Sequence, residues 1–319
     1  MHELDAIRRM CCHAPRSPRQ KNTLFTCDAE LVELETGLYG LSLDDFSPEE
    51  DRLPSTDPEA LGENLAVAVI ADVLAAGCIP EFYMHAVIAP VNDNAFCEHL
   101  ARGVQSVLAG NNCFLLGGDY GRARSPGEWR YTGFAMGKAG KRGALTRVLP
   151  PEPQTLWMTG TAGDGNAHAL QGTMPCFEPR FAEARIVRDK ATACMDTSGG
   201  LVESLLTLAL CNPGHRLDIL ADAVPFDPAA LRAASGAGIP HAAFAFAGAG
   251  EYELLFTLPE GETVSCATRI GTAAPAEHTT PGAYWNGNKL PDRLPDARSF
   301  ADLQAYIRHV LEVARTCAR

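Results

Sequence analysis

Three carboxylates stand where carboxylates are costly. Asp44 closes an apolar run in SLDDF, Asp119 closes another in LLGGD, and Asp72 is the lone charge in LAVAVIADVLAAGCIP. An ionised carboxylate loses several kcal/mol or more on leaving water unless it gains a partner. If the three converge, their mutual repulsion calls for a cation, and an all-oxygen donor set suits Mg²⁺. Such an ion is held by one or two carboxylates together with substrate phosphates. Taken singly, each has a plainer explanation: GGD is a common turn, Asp44 fits a surface loop, and Asp72 fits a cap on a neighbouring backbone group.

Two glycine-rich turns add an anion-binding element. TGTAGDGNAHAL and MDTSGGLVESL each bring small residues to a predicted helix start, with Gly160 to Gly165 forming the first turn. Free N–H groups and the macrodipole attract anions there. Neither turn matches a P-loop or a dinucleotide-binding fingerprint. His168 could touch a phosphate from the first turn, although a loop histidine is more often solvated.

The elements that must position these groups alternate between strand and helix, which predicts an α/β (α+β) protein. A strand-rich stretch follows residue 22, and residues 1–22 are expected to form a loose arm. Asp57 as N-cap and Pro58 at the first helical position start a helix that runs to about Ala76, with Gly77 and Pro80 stopping it. That helix is apolar nearly all round, so it is expected to be buried, with Asp72 inside it. A strand over 81–90, a helix over 97–110 and strands at 111–119 and 129–140 complete the first half. The proline-rich VLPPEPQ marks a boundary, giving domains over 23–149 and 150–319. The second half reads strand, glycine turn, helix twice over, then strand, a helix opened by Asp227-Pro228, a strand at EYELLFTLP, and a last amphipathic helix capped by Ser299.

Composition limits the function classes. A net charge of −12 on 319 residues argues against a nucleic-acid surface, yet leaves anionic substrates open because a metal ion reverses the local field. The longest apolar run is too short and too charged to span a bilayer, and the N-terminus has no apolar core of a signal peptide. A soluble, cytoplasmic protein is expected, acting on a small molecule. The eleven cysteines include no C-x-x-C pair, which fits reduced, mostly buried thiols, with Cys317 as a frayed-end residue.

The order of the motifs is more specific than any one of them. CDAE at 27–30, LDDF at 43–46, ADVLAAGCIP at 71–80, GGDYGR at 117–122, Arg147, TGTAG at 159–163, MDTSGGL at 195–201 and GAGEYELLF at 248–256 follow one another. In that order they resemble the superfamily holding aminoimidazole ribonucleotide synthase, selenophosphate synthetase, the hydrogenase-maturation dehydratase and thiamine-monophosphate kinase, with the kinase nearest. The resemblance implies an N-terminal sheet domain that forms a homodimer, a C-terminal α/β domain, and ATP with Mg²⁺ between subunits. It further implies γ-phosphoryl transfer to a small phosphorylated acceptor. Carried over, Asp28, Asp44, Asp72 and Asp119 are metal ligands. Gly117, Gly118, Gly160, Gly163 and Gly200 approach the nucleotide, and Arg147, Asp196 and Ser198 act at the phosphates. Glu251, Tyr252 and Trp285, with Tyr284 beside it, are expected at the acceptor. The chain departs from the pattern at Cys27 and Gly199, which replace aspartates, at Gly248 to Tyr252, and in SPEEDRL at 47–53. These departures keep open a different small-molecule substrate, or a nucleotide-binding dimer without turnover.

Overall fold

The computed structural model describes residues 3–48, 56–90, 94–125, 127–246, 248–296 and 299–317. SPEEDRL lies largely outside them. The chain builds two sheets, each with helices against it, in a two-domain α/β fold.

The first sheet has the order β1-β2-β5-β3-β4. Its strands are β1 (Glu30–Leu34), β2 (Gly37–Phe46), β3 (Cys78–Ala89), β4 (Phe114–Arg122) and β5 (Arg130–Ala139), all antiparallel to their neighbours except the parallel pair β3 and β4. One face is covered by α2 (Pro58–Ala75) and α3 (Asn94–Ala109). The other face carries exposed Leu43, Met84, Ile88 and Leu116.

Helix α2 begins as its sequence predicts. Asp57 Oδ1 accepts from the N–H groups of Glu59 and Ala60, and Gly77 follows the helix in the left-handed region. Its uniform apolarity has a structural reason. The helix is wedged between the sheet, α3 and the second domain, where it meets α5 (Phe181–Lys190) and β7 (Ala193–Asp196). A Cβ on Gly62 would stand 2.1 Å from the Leu100 carbonyl and one on Gly103 1.9 Å from that of Glu59, so only glycines allow the α2–α3 crossing. Asn64 fastens the helix to the second domain, donating to the Pro175 carbonyl and accepting from the Phe177 N–H.

The chain changes sheet between Ala139 and Gln154. The second sheet, β12-β11-β8-β10-β6-β9-β7, pairs antiparallel except at β11 and β8. It holds β6 (Gln154–Met158), β7, β8 (His215–Ile219), β9 (Leu254–Pro259), β10 (Thr268–Pro275), β11 (Gly282–Trp285) and β12 (Asn288–Lys289). Helices α4 (Asp164–Gln171), α6 (Leu201–Cys211), α7 (Pro228–Ala237) and α8 (Leu303–Cys317) accompany it. Helix α7 starts at Asp227-Pro228 as expected, with Asp227 accepting from Ala229 N–H at 2.6 Å.

Two expectations are corrected. The first 22 residues are not all arm: α1 spans Glu3–Cys11, and Gln20 bridges to Val32. The last helix is not capped by Ser299, whose hydroxyl donates to Asp296 O. Asp302 Oδ1 instead accepts from Ala305 N–H at 2.7 Å.

Candidate functional site: three carboxylates between the domains

Asp28, Asp72 and Asp196 each place a carboxylate oxygen within 4.8 Å of the other two. They come from different elements. Asp28 precedes β1, Asp72 lies in the last turns of α2, and Asp196 ends β7 in the second domain. The wedge position of α2 between the domains brings them together.

Each carboxylate is held by its own neighbour. Asp28, with a side chain 1% exposed, receives the Arg147 guanidinium at 2.7 Å. Arg147 also donates to the Phe25 carbonyl and lies over the Phe25 ring, so its orientation is fixed. Ser42 donates to Asp72 Oδ2 at 2.6 Å, and Ser198 to Asp196 Oδ1 at 2.8 Å. Oδ2 of Asp28 and Oδ2 of Asp196 are buried and receive no hydrogen bond among the described residues. Buried polar atoms are rarely left so, which marks the space between them as made for a further partner.

The electrostatics agree. Burial raises the Asp72 carboxyl well above its usual range, and Asp44, Asp196 and Asp28 raise it further, against the Ser42 hydrogen bond. Burial and then Asp28 push Asp196 up to about 7, while Ser198 and Arg147 pull it down. Three carboxylates and one guanidinium therefore form a site short of positive charge. The donors are all hard oxygens, so the residues present fit a divalent cation of the Mg²⁺ type.

Of the four aspartates expected as metal ligands, Asp28 and Asp72 are in this group and Asp44 faces Asp72 electrostatically from β2. Asp119 is not: it is exposed on the edge strand β4, where its carboxylate accepts from the Tyr120 N–H. Arg147, expected at a phosphate, is spent on Asp28. Asp196, expected at the transferring phosphate, completes the trio. Ser42 escaped notice in the sequence. Its signal was period-2 alternation, which places Ser42 and Asp44 on one strand face toward α2.

Both departures have local explanations. Cys27 is buried, its Sγ donates to the Leu145 carbonyl at 3.3 Å, and burial with Asp28 beside it pushes the thiol far up. It is a neutral core thiol. At Gly199 a Cβ would stand 3.1 Å from Glu203 Cδ, so the side chain of Glu203 on α6 lies where a residue at 199 would project.

The glycine turns stack beside the trio. Gly163, left-handed at the N-cap of α4, gives its N–H to Glu251 Oε1 at 2.9 Å, and Gly200 holds the N-cap of α6 at φ 82°. Gly160 leaves room for the Glu253 carboxylate, which accepts from Thr159 and Arg180. Sequence reasoning passed over this buried Arg180–Glu253 pair because Arg180 lies in a segment without a clear period. Gly117 adopts φ 143° and Gly118 lies against the His85 carbonyl, both on β4. His168 is engaged within α4, its Nε2 3.2 Å from Asp164.

The acceptor expectations need correction. Trp285 is fully buried, edge-on to Phe246 at 5.1 Å, in the core of the second domain. Tyr284 is buried beneath the Arg216 guanidinium and donates to the Thr280 carbonyl. Glu251 is 4% exposed and ties its loop to α4, so it does not present its carboxylate at a surface. Tyr252 is half-buried at φ 56°, its ring edge-on to Phe177 at 4.7 Å. Trp285 and Tyr284 offer no open stacking face.

Residues 28–139 match the family model of the AIR synthase related protein, N-terminal domain. That match spans β1 to β5 together with α2 and α3. The chain is 27% identical over 255 residues to the thiamine-monophosphate kinase of Escherichia coli O157:H7, covering 73% of this chain and 75% of that one. The thiamine-monophosphate kinase of Aquifex aeolicus strain VF5 is 24% identical over 229 residues, covering 65% and 72%. Among solved structures, AaThiL complexed with AMPPCP and TMP superposes with TM-score 0.78 at 21% identity, over 90% of this chain and 93% of that one. The hydrogenase maturation protein HypE of E. coli gives 0.65 at 16%, over 82% and 88%. These structures share this chain's two-domain fold.

Proposed function

We propose that this protein is an ATP-dependent phosphotransferase of the thiamine-monophosphate kinase type. The observation that carries the proposal is the convergence of Asp28, Asp72 and Asp196, with two buried carboxylate oxygens between the domains that have no partner among the described residues. The kinase relatives and the solved complex with an ATP analogue and TMP supply the reaction class. In that reaction the bond from the γ-phosphorus to the β,γ-bridging oxygen breaks, and a bond to an oxygen of the acceptor phosphate forms. The products are ADP and a diphosphate ester.

Such transfer rests on positioning and charge stabilisation. The three aspartates are the residues that would hold a divalent cation, which neutralises polyphosphate charge when bound. Ser42 and Ser198 orient the carboxylates of Asp72 and Asp196. Arg147 holds the Asp28 carboxylate in place. Helix α6 starts next to the Asp196 turn, and a helix N-terminus there attracts phosphate oxygens. We assign the protein a homodimeric, cytoplasmic state. The exposed apolar face of the first sheet supports the dimer, and in it the edge-strand residue Asp119 would meet the partner subunit. The burial of Trp285 and Tyr284 favours a second reading, transfer to a different small phosphorylated acceptor.

The deciding experiment is ADP release by purified protein with ATP and Mg²⁺, with and without thiamine monophosphate, beside Asp72→Asn. Acceptor-dependent ADP release lost in Asp72→Asn is the expected result. Release with another phosphorylated acceptor alone selects the second reading, and none with any acceptor removes both.

A further inference from the structure

Helix α8 is the last element and belongs to neither sheet. Tyr306, Ile307, Val310 and Leu311 are each about fully buried on its inner side, against α4 and the segment 241–245. On that side Tyr306 Oη accepts from the Gly248 N–H at 3.1 Å.

Gly248 opens the segment 248–252, in which two of the first three residues are glycine. Glycine backbone has the most freedom to lose, so such a segment needs external anchors. It has three more. The Ala249 N–H donates to Asn166 Oδ1 at 2.9 Å, the Glu251 N–H to the Thr197 carbonyl at 3.1 Å, and Glu251 Oε1 accepts from Gly163. The segment lies flat on the turn after β7. A Cβ on Gly250 would stand 2.0 Å from the Ser198 carbonyl oxygen, so backbone presses directly on backbone there. Ser198 in turn donates to Asp196. The contacts run without a break from the Tyr306 hydroxyl through Gly248, Gly250 and Ser198 to Asp196.

We propose that Tyr306 is a positioning residue: from α8 its hydroxyl fixes the 248–252 segment, and through it the turn that sets Asp196 opposite Asp28 and Asp72. This rests on the proposed function only for what the trio is used for. The last helix thereby becomes part of the site's support.

The test uses the full chain carrying Tyr306→Phe, which keeps the ring and removes the acceptor. Losing one such bond is expected to speed amide exchange at 248–252 about tenfold, while the amides of Ile307 to Leu311 keep wild-type protection. The apparent affinity for Mg²⁺, titrated calorimetrically with a non-hydrolysable ATP analogue present, is expected to fall about threefold to tenfold. Gly248→Ala provides a second variant, because its Cβ would come within 3.0 Å of the Tyr306 hydroxyl without altering α8. Unchanged exchange at 248–252 in both variants overturns the proposal. So does loss of protection throughout α8, or Mg²⁺ affinity that stays at the wild-type value. If wild type fails to phosphorylate thiamine monophosphate, the proposed function falls, while exchange and Mg²⁺ binding still decide the role of Tyr306.

Discussion

Arg147 and Asp28 form an ion pair at 2.7 Å, with side chains only 12% and 1% exposed, and it leaves Asp28 Oδ2 buried without a partner among the described residues. One guanidinium therefore offsets one of three carboxylates and holds its orientation. Removing one partner of a buried pair leaves an uncompensated charge, which costs about 3–5 kcal/mol. Arg147→Gln is expected to lose stability of that order in urea unfolding. Adding Asp28→Asn should restore part of it. Additive losses in that double-mutant cycle would show the two side chains to be uncoupled.

Asp72 gives the opposite sign. Its folded-state carboxyl lies above the usual value through burial first, then through Asp44, Asp196 and Asp28. Its contribution to stability is complete below the ordinary carboxylate value and is lost as pH rises through the raised one. At pH 7 without cation, Asp72→Asn is expected to melt at or above the wild-type temperature. With Mg²⁺ and an ATP analogue the order should reverse, because a ligand at a hundred times its Kd adds about 2.7 kcal/mol to a competent site. Thermal melts in the two conditions check this, and a variant stabilised by the ligand as much as wild type counts against Asp72 as a ligand.

The legibility of the site followed the reach of each signal. Asp72 was visible because one charge in an apolar helix is a local contradiction, and the cap, stop and burial of α2 were all written within its own sequence. Asp119 shows the reach of such a signal: a carboxylate ending an apolar strand looks alike whether the strand is central or at an edge, and strand order is a property of the whole sheet. Trp285 looked like a loop aromatic because β11 is only four residues long and pairs in parallel with β8, a partner some 65 residues earlier. Tyr306 could not be assigned from sequence at all, since its partner is a backbone N–H brought close by the packing of α8.

The uncovered face of the first sheet yields a separate expectation. Leu43 is 67% exposed and Leu116 61%, on strands at opposite sides of that sheet, with Met84 and Ile88 on β3 beside β4. A contiguous apolar face of this kind marks an association surface. Charges placed in it should oppose pairing of two copies, so Leu43→Asp with Leu116→Asp is expected to run as a monomer in light scattering where wild type runs as a dimer. A monomeric wild type at micromolar concentration would remove the homodimer.

Glu251 supplies a pH signature away from the trio. Burial pushes its carboxyl from the ordinary 4.5 up to about 8, against the Gly163 N–H that favours the ionised form, with Glu253 adding repulsion. The folded state thus binds the proton more tightly than the unfolded chain does. Stability from this group is full below pH 4.5 and is withdrawn between there and about pH 8. The amount at stake is on the order of a few kcal/mol. Glu251→Gln keeps an oxygen acceptor for Gly163 and cannot ionise, so its stability should not show that decline. The variant is expected to match or trail wild type at pH 5 and to exceed it at pH 8.5, with melting temperatures across that range as the measurement. Curves that stay parallel would place the titration of Glu251 elsewhere and leave its carboxylate charged in the fold.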